Sequence, residues 1–322
     1  MISVTLNDIQ EASQRIRPQA ITSPLLSFNR EEDSLSVSLK CESFQSIGAF
    51  KIRGAMNAVR QLSERERQNG VVTHSSGNHA QALAYAAREL GIQAHIVMPD
   101  NSPEIKVQGV RRYHGIVHFC EASESARIAT CEEVMRQTSA TLIHPFDNDQ
   151  IISGQGTAGL EILEQLPSVK TIIAPIGGGG LISGLAIAIK EQRSDVRLIG
   201  VEPEGAADTK RSLAAGRIEA VPGGSRSIAE GLLSTVGGRP FEIISKYLDD
   251  LITVSDRQIA EATMLLFNDG KLVVEPSGAT AFAAVLADRD KWSSPDTVVM
   301  ITGGNIDVRR FPEIQSLATS GK

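Results

Sequence analysis

The chain has 322 residues, 41% of them hydrophobic, enough to bury the core of one large α/β domain or two moderate ones. Its net charge of -6 comes from 38 acidic and 32 basic residues scattered along the sequence. No basic field therefore favours nucleic acid or an anionic membrane, and small-molecule partners are expected. Three cysteines, Cys41, Cys120 and Cys131, show no CxxC spacing; they argue against a disulfide framework or a thiolate metal site and fit a reducing cytoplasm.

The amino-terminal stretch MISVTLNDIQEASQRIR carries charges where a signal peptide needs an apolar run. No segment approaches the roughly 18 apolar residues of a membrane span, so neither export nor membrane insertion is expected. In FKIRGA, at 50–55, Lys51 stands between Phe50 and Ile52. An ammonium among apolar neighbours is disfavoured, which makes accessible the neutral amine that imine formation needs. A lysine snorkelling to the surface reads the same way in isolation. The run SERERQ at 63–68 reads as a solvated helix end.

From residue 70 onward, short β-branched runs alternate with alanine-rich amphipathic stretches: GVVTHSS then GNHAQALAYAAREL, QAHIVMP then PEIKVQGVRR, GIVHFCEA then SARIATCEEVMRQ. The rhythm resumes with VKTIIAPI, four glycines and LISGLAIAIKEQ, then RLIGVEP, and finally DTVVMITGGN. This pattern predicts an α/β fold of two open, mostly parallel sheets flanked by helices. The candidate junctions lie at 63–69 and 141–149. Ligands in such sheets bind beyond the carboxyl ends of strands, which points to the loops after Val72, Ile176, Val201 and Ile301.

Two of those loops carry candidate chemistry. Gly177, Gly178, Gly179 and Gly180 follow an apolar strand and precede a helix opening at Leu181, so their amides and the helix dipole can cradle a phosphate; a flexible turn is the plainer reading. Ser75, Ser76, Gly77, Asn78 and His79 offer hydroxyls, an amide and backbone donors at a helix start. These suit a carboxylate or a cofactor ring oxygen, and equally an ordinary helix N-cap. His79 alone is as ordinary in a core or a cap as in catalysis. Gly154, Gly156 and Gly159 match GxGxxG, but no strand leads directly into them and no acidic residue follows at the ribose spacing, so a nicotinamide site is not expected. A phosphate cradle together with an imine-forming lysine points to pyridoxal phosphate.

The sequence resembles the serine racemase and serine/threonine dehydratase family of fold-type II pyridoxal-phosphate enzymes. The resemblance runs through FKIRGA, SSGNHAQAL at 75–83, SGQGT at 153–157, GGGGL at 177–181, GVEPEGAAD at 200–208, EPSGA at 275–279 and TGGN at 302–305. It implies a tryptophan synthase β-like architecture, with residues 1–67 and 142–322 as a large cofactor-binding domain and 68–141 as a small mobile substrate-binding domain. It also implies that Lys51 forms the imine, Phe50 packs by the cofactor and Asn78 contacts its ring oxygen. Gly177, Gly178, Gly179, Gly180 and Leu181 take the phosphate, Gly231 makes a backbone contact, and the Thr302 hydroxyl faces the pyridine nitrogen. Glu202, Asp208 and the Ala206 carbonyl match the ligands of a divalent cation, Mg²⁺, Ca²⁺ or Mn²⁺. Phe146, in HPFD, stands where relatives often have asparagine and leans the reading towards elimination; Asn148 has no assigned role.

The activity implied is removal of ammonia from a hydroxy-amino acid such as serine, threonine or 3-hydroxyaspartate, giving a 2-oxo acid, with Lys51 as general base. The substrate carboxylate is expected on Ser75, Asn78 and His79, with Arg127 assisting closure. Ser76 matches the acid/base that racemase-like members use on the opposite face, so a capacity for serine racemisation is implied. A β-replacement synthase, which needs an added nucleophile, and a non-catalytic binding protein, which forms no imine, are the alternatives. A cytoplasmic homodimer is expected, and the 17 residues after TGGN are too few for an appended regulatory domain.

Overall fold

The computed structural model describes residues 2–320. Among these residues ten strands form two sheets: β1 (Leu25–Arg30), β2 (Leu35–Cys41), β3 (Val71–His74), β4 (Ala94–Pro99), β5 (Ile116–Cys120), β6 (Thr141–Leu142), β7 (Thr171–Pro175), β8 (Arg197–Pro203), β9 (Asp250–Val254) and β10 (Thr297–Ile301). The larger sheet has the order β1-β2-β10-β7-β8-β9, parallel except for the β1–β2 hairpin, and the smaller sheet is β5-β4-β3-β6, parallel throughout. The two mostly parallel sheets agree with the sequence pattern.

Burial follows position in the sheet. All five residues of β10 are buried and four of five in β7, as strands covered on both faces require, whereas the edge strands β1 and β9 are mixed. Helices Asp149–Gln165 and Gly180–Lys190 pack backbone to backbone. A Cβ on Gly184 would lie 2.4 Å from the Gly156 nitrogen, and one on Gly154 would lie 2.6 Å from the Arg53 carbonyl oxygen. The GxGxxG run is thus the interior of a helix that touches its neighbours closely and not a strand-to-helix turn. Asn148, left without a role in the sequence, caps this helix by accepting the Ile151 N–H at 3.0 Å.

Beneath the first helix of the site lies a buried charge cluster. Arg53 donates to Glu42 at 2.7 Å and to Glu161 at 2.8 Å, and Lys40 donates to Glu161 at 2.6 Å. Four charges of balanced sign satisfy one another there, and they anchor helix Lys51–Arg60 against helix Asp149–Gln165.

Candidate active site

Residues 48–50 run beside the loop that follows β10. The Phe50 N–H donates to the Thr302 carbonyl at 3.0 Å, the Gly304 N–H donates to the Gly48 carbonyl at 2.9 Å, and Ala49 bridges Gly303. These contacts set Lys51 at the amino end of its helix, beside the TGGN loop. Its Nζ donates to the Pro145 carbonyl at 2.9 Å and lies 5.1 Å from the centre of the Phe50 ring. Burial lowers the Lys51 amine from 10.5 to about 8, the direction expected for an ammonium stripped of water.

HPFD ties this lysine to the tetraglycine turn. Behind Pro145, the Phe146 ring lies so close to Gly178 that a Cβ there would be 2.3 Å away, and a Cβ on Gly180 would come within 3.0 Å of the Phe146 side chain. Gly179 has φ +86°, and Gly177 faces Leu232 and the Gly231 carbonyl. Each glycine therefore has a local reason to lack a side chain. Among the described residues the amides of Gly177, Gly178 and Gly179 meet no protein acceptor, and the helix Gly180–Lys190 begins without a side-chain cap. The turn retains unpaired donors at a positive helix end, where an anion fits. His144 accepts the Asp147 N–H at 2.9 Å on Nδ1, and burial, with the neighbouring His74 adding to it, lowers its pKa to about 4, so it stands neutral beside Lys51.

From the smaller sheet, β3 ends at His74 and delivers the SSGNH segment. Helix Asn78–Glu89 takes Gly77 as its N-cap with no side-chain bond, so the capping role open to these residues in the sequence is not used. Ser75 Oγ accepts the Gly77 N–H at 3.4 Å, and Ser76 is half-buried. Asn78 Nδ2 donates to Glu275 at 2.6 Å while its Oδ1 accepts from Asn305 at 2.8 Å. Glu275 belongs to the EPSGA run and has no role in the sequence reading. Thr302 is buried at the end of β10, and the Gly231 N–H donates to Ser277 at 2.9 Å, which leaves the carbonyl of Gly231 facing Gly177.

His79 and Arg127, the other two expected substrate contacts, have these surroundings. The His79 ring is buried with its Nε2 3.2 Å from the Ile143 carbonyl, and burial holds it well below its usual pKa. A neutral ring that donates to Ile143 leaves only an acceptor at Nδ1, so what His79 can offer a carboxylate is its backbone N–H at the helix start. Arg127 lies half-buried on helix Glu124–Thr138, where its charge acts on Cys120 at the end of β5. Among the described residues its guanidinium makes no hydrogen bond to Ser75, Asn78 or His79.

A model of the family described as "Pyridoxal-phosphate dependent enzyme" matches residues 16–304. The chain belongs to the pyridoxal-phosphate-dependent enzymes. Curated relatives in this family include serine racemase of Dictyostelium discoideum, 41% identical over 319 residues and 98% of each chain. Another is beta-hydroxyaspartate dehydratase of Paracoccus denitrificans, 37% identical over 310 residues, 96% of this chain and 98% of that one. Among solved structures, maize serine racemase superposes with a TM-score of 0.92 at 41% identity, covering 98% of this chain and 97% of that one. The unpaired amides, the half-buried Lys51 with its lowered pKa and the donors around Asn78 fit pyridoxal phosphate.

The acidic loop after β8 is a separate place. Glu202 and Asp208 are fully buried, and burial raises their pKa values to about 7 and about 6. Glu202 accepts the Thr209 and Lys210 N–H groups at 2.9 and 3.0 Å, and Asp208 Oδ2 accepts the Val236 N–H at 2.8 Å. Asp208 Oδ1 is buried without a partner among the described residues. No cluster of three or more His, Cys, Asp or Glu is placed to hold a metal there or elsewhere among those residues, so a cation would need carbonyl oxygens such as that of Ala206. The orphaned Oδ1 fits such an ion. No helix of the described residues is long and apolar enough to cross a membrane.

Proposed function

We propose that the chain is an ammonia-lyase of hydroxy-amino acids such as serine, threonine or 3-hydroxyaspartate, giving a 2-oxo acid and ammonia, with serine racemisation as a second activity. The observation that carries the reading is the Lys51 amine, lowered to about 8 at the point where HPFD, the tetraglycine turn and the TGGN loop converge. The relatives' names, serine racemase and beta-hydroxyaspartate dehydratase, support the same substrate class.

Pyridoxal phosphate, when bound, supplies an electrophilic aldehyde carbon and a ring that withdraws electrons from the substrate Cα. The amides of Gly177, Gly178, Gly179, Gly180 and Leu181 hold its phosphate, and Phe50 packs beside it. Asn78 would take the ring oxygen, Gly231 would offer its backbone, and the Thr302 hydroxyl would be the group available to the ring nitrogen. A neutral threonine hydroxyl does not hold that nitrogen protonated as a carboxylate would, which favours prompt loss of a β-substituent. Lys51 Nζ is the base for the Cα proton, and a pKa near neutrality leaves a useful fraction of free amine at pH 7–8. The backbone donors at the start of helix Asn78–Glu89, with Ser75 and Asn78, receive the substrate carboxylate.

Ser76 supports the racemase activity: it sits on the same strand-to-helix turn, and no protein group among the described residues holds its hydroxyl. Glu202, Asp208 and the Ala206 carbonyl are proposed to bind Mg²⁺, Ca²⁺ or Mn²⁺, supported by the orphaned Asp208 oxygen. Residues 68–141 are proposed as a small domain that closes on the substrate, supported by the ion pair from Lys106, in that segment, to Glu230 in the large one. A homodimer rests on the resemblance and is tested by sedimentation. A cytoplasmic setting is supported by three buried free cysteines.

The test is release of ammonia and 2-oxo acid from each of the three amino acids, supplied alone, by parent and Lys51→Ala protein. Release by the parent and none by the variant is expected. Turnover only when a second nucleophile is added would favour a β-replacement synthase, and equal release by both proteins would remove Lys51 from the chemistry.

A further inference from the structure

Glu275 stands at the N-cap of helix Pro276–Ala287, where an acidic side chain ordinarily folds back onto the first-turn amides. It makes no such bond. Its backbone N–H donates to the Gly303 carbonyl at 3.1 Å, which pins the residue to the TGGN loop, and its carboxyl turns inward to Asn78. Room for that turn comes from Gly303, where a Cβ would lie 2.5 Å from Glu275 Oε1 and 3.2 Å from Asn78 Nδ2.

A directed chain of hydrogen bonds fixes which end of the Asn78 amide faces where. The Ile47 carbonyl can only accept, so the atom of Asn305 that lies 2.8 Å from it is Nδ2. The second hydrogen of that nitrogen goes to Asn78 at 2.8 Å, which requires the oxygen of Asn78 at that contact. Asn78 must therefore present Nδ2 on its other side, and Glu275 accepts one of its hydrogens at 2.6 Å. One N–H of Asn78 remains uncommitted.

We propose that Glu275 and Asn305 are positioning residues that orient the Asn78 carboxamide with this remaining N–H towards the phenolic oxygen of the cofactor, and that the charge on Glu275 sets the ionisation of the bound chromophore. The proposal rests on the functional reading above, which assigns Asn78 to that oxygen. Burial pushes the Glu275 carboxyl up to about 7, with the Asn78 hydrogen bond and Lys106 opposing that and Glu230 adding to it. These three, from the helices Asn78–Glu89 and Glu104–Arg111 and the turn Glu230–Leu232, are the groups whose influence reaches it. A carboxylate held on Asn78 would favour the protonated, positively charged form of an imine nitrogen at Lys51, and removing the charge would release that proton at lower pH.

The experiment titrates the visible absorbance of the purified holoenzyme from pH 6 to 10 in the parent, Glu275→Gln and Asn305→Ala, with thermal midpoints confirming that each is folded. Glutamine keeps an acceptor for Asn78 and loses the charge, so its absorbance midpoint should fall by about 0.5–1 pH unit with cofactor affinity within about threefold of the parent. Asn305→Ala frees Asn78 to rotate and should weaken cofactor binding by about tenfold, the order expected for one hydrogen bond. A Glu275→Gln midpoint equal to the parent's, or an Asn305→Ala protein with the parent's spectrum and affinity, overturns the proposal. Absence of any visible band in the parent would sink the functional reading and this inference with it; a normal band indifferent to both changes sinks this inference alone.

Discussion

Replacing Lys51 by methionine should stabilise the cofactor-free protein at neutral pH while abolishing its chemistry. The amine titrates at about 8 in the fold against 10.5 when exposed, and at about 1.36 kcal/mol per pH unit the folded state loses at most about 3.4 kcal/mol by holding it as an ammonium. The residue keeps some contact with solvent, which reduces that cost, and methionine leaves the Pro145 carbonyl without its 2.9 Å donor, a loss of about 1 kcal/mol. A net gain of about 1–2 kcal/mol at pH 7 follows. Below pH 8 both states of the parent are protonated and the whole cost is present. Between pH 8 and 10.5 the unfolded chain binds the extra proton, so the parent gains stability as pH rises and the advantage of Lys51→Met disappears. Urea unfolding of both apoproteins at pH 7 and pH 10 reads this difference. A variant less stable than the parent at pH 7, or a difference that does not change with pH, would refute the claim that the fold strips this amine of water.

Ser76→Ala should abolish interconversion of L- and D-serine and preserve elimination from L-serine; chiral chromatography of both products decides it, and unchanged racemisation removes Ser76 from the mechanism. Metal binding at Glu202 and Asp208 requires both carboxylates ionised, so Mg²⁺ affinity measured by calorimetry should fall as pH drops through about 7 and 6, and Asp208→Asn should remove it; a pH-independent affinity would contradict the site. Arg53→Met leaves Glu42 and Glu161 buried without their main partner and should cost about 3–5 kcal/mol in urea unfolding, whereas a loss below 1 kcal/mol would show that the carboxylates find other partners.

The alternation of β-branched and alanine-rich runs revealed both sheets, because strands such as β10 are buried on both faces and must read as unbroken apolar stretches. The edge strands β1 and β9 are not visible in the sequence, since partly exposed strands lose that signature, and β2, though buried at six of seven positions, is interrupted by Ser36, Ser38 and Lys40. In the site, Lys51 and the tetraglycine turn could be found from local chemistry. The reasons for the glycines could not: Gly178 and Gly180 yield to Phe146, more than 30 positions earlier, and only the fold brings the two together. Glu275 was missed for the same reason, since its partners Asn78 and Gly303 come from two other loops. That the His79 ring is taken up by the Ile143 carbonyl could not be read from the sequence, because nothing near His79 announces that partner.

The central claim is that Lys51 Nζ is the nitrogen that bonds covalently to pyridoxal phosphate. Borohydride reduction of the holoenzyme followed by peptide mass mapping tests it directly. The account predicts a single pyridoxyl-phosphate adduct on the peptide that carries Lys51; an adduct on another lysine, or none with the cofactor present in excess, would contradict it.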